Sequence, residues 1–148
     1  MMHAPAGQAH RWHEKERISV LRFFYRKPKF PVLCDVQEVL IGARTPRELS
    51  EAIASIKLPA GEYLPFIDAS AEGWVLVVDL MTVSPLTFKK RWTKKEVIAV
   101  FNGSQTARRA GLEYPLSSLS SKRFDRILAD IVKLVQDANK SVERDRAT

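Results

Sequence analysis

The sequence predicts an α+β domain: a small, mainly antiparallel sheet built around a hairpin over residues 63–81, with two or three helices packed on it. Three observations carry that expectation. Two β-prone apolar stretches, 63–68 and 74–81, bracket a short turn at 69–73. Capping boxes at Thr45/Glu48 and Thr93/Glu96 open two helices. A long amphipathic stripe runs from Phe124 to Ala138.

In chain order, residues 18–25 (ISVLRFFY) are rich in β-branched and aromatic side chains and predict a strand. Residues 26–31 form a basic, proline-punctuated connection. Residues 32–41 read two ways: Val32, Val36, Val39 and Leu40 keep helical spacing, while VLCDV would serve equally as a strand. Thr45 as N-cap and Pro46 at the first helical position then start a helix expected to reach Ile56. In the second hairpin strand, Trp74, Leu76, Val78 and Leu80 alternate with Val75 and Val77, so both faces are apolar and the strand should be central. Pro65 pushes its partner strand toward an edge. Beyond Pro85 the pattern turns helical: 94–101 ends at Asn102-Gly103, and 104–110 is a short helix stopped by Gly111. In the last helix Phe124, Ile127, Leu128, Ile131, Leu134, Val135 and Ala138 share one face, opposite Arg126, Asp130, Lys133 and Asp137.

A chain of 148 residues with 45% apolar and 28% charged residues suits one globular domain with a real core. We expect that domain over 15–140, between a disordered tail at 1–14 and a frayed one at 141–148. No apolar run approaches the ~20 residues of a membrane helix, and residues 1–12 lack the apolar stretch of a secretory signal. Cys34 is the single cysteine and sits among Val32, Leu33 and Val36, which points to a packed thiol and a reducing, cytoplasmic setting.

Catalytic chemistry finds little footing. His3, His10 and His13 all fall in the expected tail, which argues against a metal site and against a Ser–His or Cys–His pair. Asp35, Glu38, Asp68 and Asp79 show no spacing of a metal-dependent nuclease and are expected to be solvated at strand ends and loops. The six glycines make no phosphate-binding loop. The sequence therefore predicts a protein that is not an enzyme and needs no cofactor.

Charge is the informative feature. The net +7 is uneven: residues 1–30 carry seven Lys/Arg against two Asp/Glu, residues 31–86 three against eight, and residues 87–126 ten against three. The densest segment is Lys89, Lys90, Arg91, Trp92, Lys94 and Lys95, preceded by Phe88 and running straight into a capped helix. Lys122 and Arg123 repeat the pattern before the last helix, and Arg108 and Arg109 add a third pair. Cations at a helix start are locally unfavourable but suit an anion, because free N–H groups and ammonium groups then converge. A helix-turn-helix reading of 94–112 matches only in part, since Asn102 and Ser104 fall at positions that should be apolar. The expected function is a small basic accessory or regulatory protein binding nucleic acid through those ten residues. The alternative is an interaction module that docks on an acidic protein partner.

Overall fold

The computed structural model describes residues 21–147. The expected tail at 1–14, with its histidines, and the start of the first strand lie outside the described residues. Six strands, β1 (Arg22–Phe23), β2 (Val32–Val36), β3 (Val39–Ala43), β4 (Tyr63–Ile67), β5 (Gly73–Val77) and β6 (Thr82–Ser84), form one sheet in the order β1-β6-β5-β4-β2-β3. All neighbours are antiparallel except β1 and β6. Among the described residues five helices accompany it: α1 (Pro46–Ala54), α2 (Lys94–Asn102), α3 (Gln105–Ala110), α4 (Ser118–Ser121) and α5 (Phe124–Ala147). The fold class is α+β, with a wider sheet and more helices than the sequence predicts.

The ambiguous 32–41 stretch resolves as the β2–β3 hairpin. Its turn residues, Gln37 and Glu38, both take positive φ (52° and 74°), the geometry of the tight hairpin turns that match strand twist. Asp35 supports the turn, its Oδ1 accepting from the Glu38 N–H at 2.8 Å. No Asn-Gly or Asp-Gly pair marks this turn in the sequence, which is why helix and strand were not distinguishable there.

The sheet buries two cores. On one face, Val32, Cys34, Ile41, Leu64, Phe66, Trp74, Leu76 and Val83 pack beneath Leu49 and Ile53 of α1. Cys34 is the packed thiol that its neighbours predict, and burial pushes its pKa far up. On the other face, Leu33, Leu40 and Ile67 lie under Val97, Ile98 and Phe101 of α2 and Ile127, Leu128, Ile131, Val132 and Val135 of α5. The last helix is therefore core along its apolar stripe, and it runs on past Ser141. Gly42 allows the close approach: a Cβ there would stand 3.0 Å from Val132 Cγ1 and 3.2 Å from its Cα.

The outer edge of β3 is closed by helices rather than left open. Thr106 Oγ1 accepts from the Leu40 N–H at 2.8 Å, and the Gln105 N–H donates to Glu38 O at 2.9 Å. From α5, Asn139 donates to Leu40 O and Gln136 to Gly42 O. An edge so occupied cannot template another strand.

Two expectations for the hairpin need correction. The second strand stops at Val77: Val78–Leu80 is a 3-10 turn, Met81 turns left-handed at φ 46°, and the chain returns as β6. Leu80 is accordingly exposed and Val77 half-buried, while Leu76 and Val78 are buried. The strand carrying Pro65 is interior, between β5 and β2. Pro65 is tolerated because the β2–β4 ladder pairs only Leu33 with Ile67 and Cys34 with Phe66, leaving it outside that ladder.

At α1, Thr45 accepts from the Glu48 N–H at 3.1 Å, but Glu48 accepts from the Arg44 N–H rather than the Thr45 one. At α2 the capping box is complete.

Truncating Ile131 to Ala removes a fully buried branched side chain and should cost about 2–5 kcal/mol. Asp137→Ala, on the exposed side of α5, should stay within roughly 0.5 kcal/mol. Urea denaturation of both variants measures the difference, and equal midpoints would mean that the stripe is not packed.

Candidate functional site

The turn between β4 and β5 is organised by a carboxylate. Asp68 is 1% exposed, which corrects the expectation that it is solvated at a strand end. Its Oδ1 accepts from the Ser70 N–H, the Ser70 hydroxyl and the Glu72 N–H at 2.9, 2.6 and 3.1 Å. Its Oδ2 accepts from the Lys29 N–H and from Trp74 Nε1, both at 3.1 Å. Every partner is a donor, so a group that would be costly to bury unpaired is fully satisfied.

The turn that this carboxylate organises holds two chain segments at once. On one side it grips the 26–29 connection: besides the Lys29 N–H bond to Asp68, Lys29 O accepts from the Ala69 N–H at 2.8 Å. Arg26 forms a two-pronged ion pair with Glu72 and lies 4.8 Å over the Trp74 ring. That pairing holds Glu72 below the usual carboxylate range. On the other side the turn grips 89–92. The Gly73 N–H donates to Lys90 O at 2.9 Å and the Trp92 N–H to Ala71 O at 2.8 Å, which sets Glu72 opposite Arg91 as an isolated antiparallel bridge of the backbone. Gly73 is required here, because a Cβ would meet Lys89 O at 1.8 Å.

Arg26, Lys27, Lys29, Lys89, Lys90, Arg91, Lys94 and Lys95 thus lie along one margin, on or next to the two segments that meet at this turn. Arg91 reaches Ser70 O at 3.5 Å. Lys89 pairs with Glu96 and lies 4.7 Å over the Trp92 ring. Lys94 donates to Leu119 O at 3.1 Å, which ties the start of α2 to α4 and so to Lys122 and Arg123 just after it. Lys27, Lys90 and Lys95 have no side-chain partner among the described residues.

The remaining site residues fare differently. Trp92 is half-buried against the second core, so its ring is packing rather than presented. The first turn of α2 already holds an anion of its own: Glu96, kept below the usual carboxylate range by Lys89 and by the Thr93 N–H. Lys122 pairs with Asp130 at 3.0 Å and lies 5.6 Å from the Tyr114 ring, whose hydroxyl also donates to Asp130. Burial alone would raise Asp130, but Lys122 and Tyr114 bring it below its ordinary value. Arg123 faces Asp125 at 3.7 Å.

Arg108 and Arg109 stand apart, on α3 by the β3 edge. Arg108 donates to Gly103 O at 2.6 Å and reaches Glu38 at 3.4 Å. Arg109 lines a groove of about 520 Å³ whose other charged residues, Arg44, Glu48, Glu51, Lys140 and Glu143, mix both signs. Nothing there selects an anion. α3 buries Thr106 and Ala107 against β3 and the second core, which leaves the partial helix-turn-helix match without a free second helix.

Lys27 and the exposed ring of Tyr25 lie beside these residues but are not singled out by the sequence, which marks Phe88, also exposed, as the aromatic preceding the basic segment. The Asp-x-Ser at residues 68–70 is the one local signal for the turn that gathers them, since short polar side chains close turns by bonding nearby N–H groups. Among the described residues no three His, Cys, Asp or Glu side chains group as metal ligands, and no helix is long and apolar enough to cross a membrane. Scans against family models, curated proteins and solved structures find no match to this chain.

Asp68→Asn replaces an acceptor-only group with one whose NH2 must face donors, and should cost about 1–3 kcal/mol in denaturant unfolding. The depressed pKa of Glu72 carries a pH signature. Its stabilisation is complete above the unfolded value of 4.5 and is lost as pH falls through the lower folded value. Between about pH 6 and about pH 3 the wild type should therefore lose more stability than Glu72→Gln. Parallel losses would mean that the Arg26 pair contributes nothing.

Proposed function

We propose that this protein binds nucleic acid through the phosphate backbone, as an accessory or regulatory factor without catalytic chemistry of its own. One observation carries the reading. The Asp68 turn joins the 26–29 and 89–95 segments, about sixty residues apart in sequence, into a single cationic margin. Phosphates spaced along a strand reward such a row of charges, and release of their counterions supplies the driving force. Lys27, Lys29, Lys90 and Lys95, without a side-chain partner among the described residues, are free to grip those phosphates, whereas Lys89, Lys122 and Arg123 are already paired within the protein. Arg108 and Arg109 take no part in this reading. A cytoplasmic setting fits the single buried thiol, Cys34.

The second reading, docking on an acidic protein, draws on the same cations and on Leu86, exposed beside them. Salt dependence separates the two, because a nucleic acid gives a steep slope whatever its sequence.

Changing Lys27, Lys90 and Lys95 together to Gln should leave the melting temperature unchanged, since none of the three ammonium groups has a partner among the described residues. Affinity for mixed-sequence nucleic acid should fall. The slope of log K against log[salt] should shrink by about one unit for each phosphate that is no longer neutralised. Fluorescence anisotropy titrations over a range of salt concentrations measure both. If wild-type protein retains no nucleic acid at about 50 mM salt, where phosphate binding is strongest, the reading is wrong.

A further inference from the structure

Resting on that phosphate-binding reading, we propose that the nucleic acid is single-stranded and that its bases stack on the exposed rings of Tyr25 and Phe88. The observation behind this is a repeated juxtaposition: each ring is fully or largely in solvent, and each is followed two residues later by a lysine without a side-chain partner among the described residues.

Phe88 is completely exposed. It sits on the excursion that leaves the sheet after β6 and returns at Lys90. The Leu86 N–H donates to Ser84 Oγ at 3.1 Å, and Lys89 O closes over Gly73. The excursion therefore lies on the sheet face that carries Ser84 and Gly73, with Phe88 turned outward. Lys90 follows it.

Tyr25 is 80% exposed and holds φ 69°, a left-handed conformation that a bulky residue adopts only at a cost. Backbone strain at an exposed aromatic is an outlier of the kind that concentrates at ligand sites. Its ring rests on that of Phe24 at a centroid distance of 4.2 Å. The Phe24 N–H donates to Val83 O at 2.9 Å, which places Phe24 next to Ser84, where the Phe88 excursion begins. Lys27 follows Tyr25 at the same two-residue offset as Lys90 follows Phe88.

Two exposed rings, each with its lysine two residues on, thus flank the point where β6 leaves the sheet. A duplex would offer this arrangement only phosphates, because its base faces are covered by stacking. A single strand offers an exposed base face beside every phosphate, and each base type can stack. Trp92, the aromatic that the sequence singles out, is unsuited because its ring is packed and covered by Lys89.

The test is anisotropy of a labelled mixed-sequence single strand and of the matching duplex. It compares wild type, Tyr25→Ala with Phe88→Ala, and Lys27→Gln with Lys90→Gln. Thermal melting checks that each variant is folded. The aromatic double variant should lose roughly 5- to 150-fold in single-strand affinity per stacked base, keep the wild-type salt slope, and bind duplex as before. The lysine double variant should flatten the slope on both substrates. If the aromatic variant binds single strands as well as wild type while the lysine variant does not, stacking is refuted and the phosphate reading stands. If wild type binds neither substrate, both fall. If the aromatic changes instead abolish a self-association seen by sedimentation, the rings form an interface between copies and the proposal is overturned.

Discussion

Five donors converge on the Asp68 carboxylate from the 26–31 connection, from the turn itself and from the first residues of β5. These bonds offset the cost of burying the carboxylate, so the carboxylate fixes the turn and the turn fixes what crosses it. The 26–29 segment is held on one side and 89–92 on the other. Trp74, which donates to Asp68, is at the same time one of the largest side chains in the first core. The position of the basic margin and the packing of the sheet thus depend on one network.

The sheet is covered unevenly. α2, α3 and α5 seal the second face and the outer edge of β3 over the β2–β3 half. Over the β4, β5, β6 and β1 half, Tyr63 and Pro65 remain exposed and Val77 and Thr82 half-buried. The exposed rings of Phe24, Tyr25 and Phe88 gather by that half, near the margin of unpaired cations. On the helical side the cations are instead consumed internally: Lys122 by Asp130, Arg123 by Asp125, and Arg108 by Glu38 and Gly103.

Much of the architecture was legible in the sequence because its signals are local. Thr45, Thr93 and Ser104 each cap a helix by accepting from an N–H three residues on. The stripe from Phe124 to Ala138 is core, as its period requires. What escaped depends on distant partners. The β2–β3 turn is built from Gln37 and Glu38, which carry no turn signature. The end of β5 at Val77 reflects the left-handed Met81 and the return strand, and Pro65 is interior because one ladder stops short of it. The candidate site divides along the same line. The 89–95 segment is visible as charge density, but its union with 26–29 runs through Asp68, whose burial no spacing reveals. The ring of Trp92 and that of Phe88 look equivalent in sequence, and only packing tells the covered one from the presented one.

Whether one margin, assembled by the Asp68 turn, meets the ligand is tested residue by residue by mapping amide chemical shifts while a short mixed-sequence single-stranded oligonucleotide is titrated at low salt. Perturbations should be confined to residues 24–29, 70–73 and 88–95, with Arg108 and Arg109 on α3 unmoved. Shifts centred on α3 or on the groove beside β3, or no shifts at all, would contradict that reading.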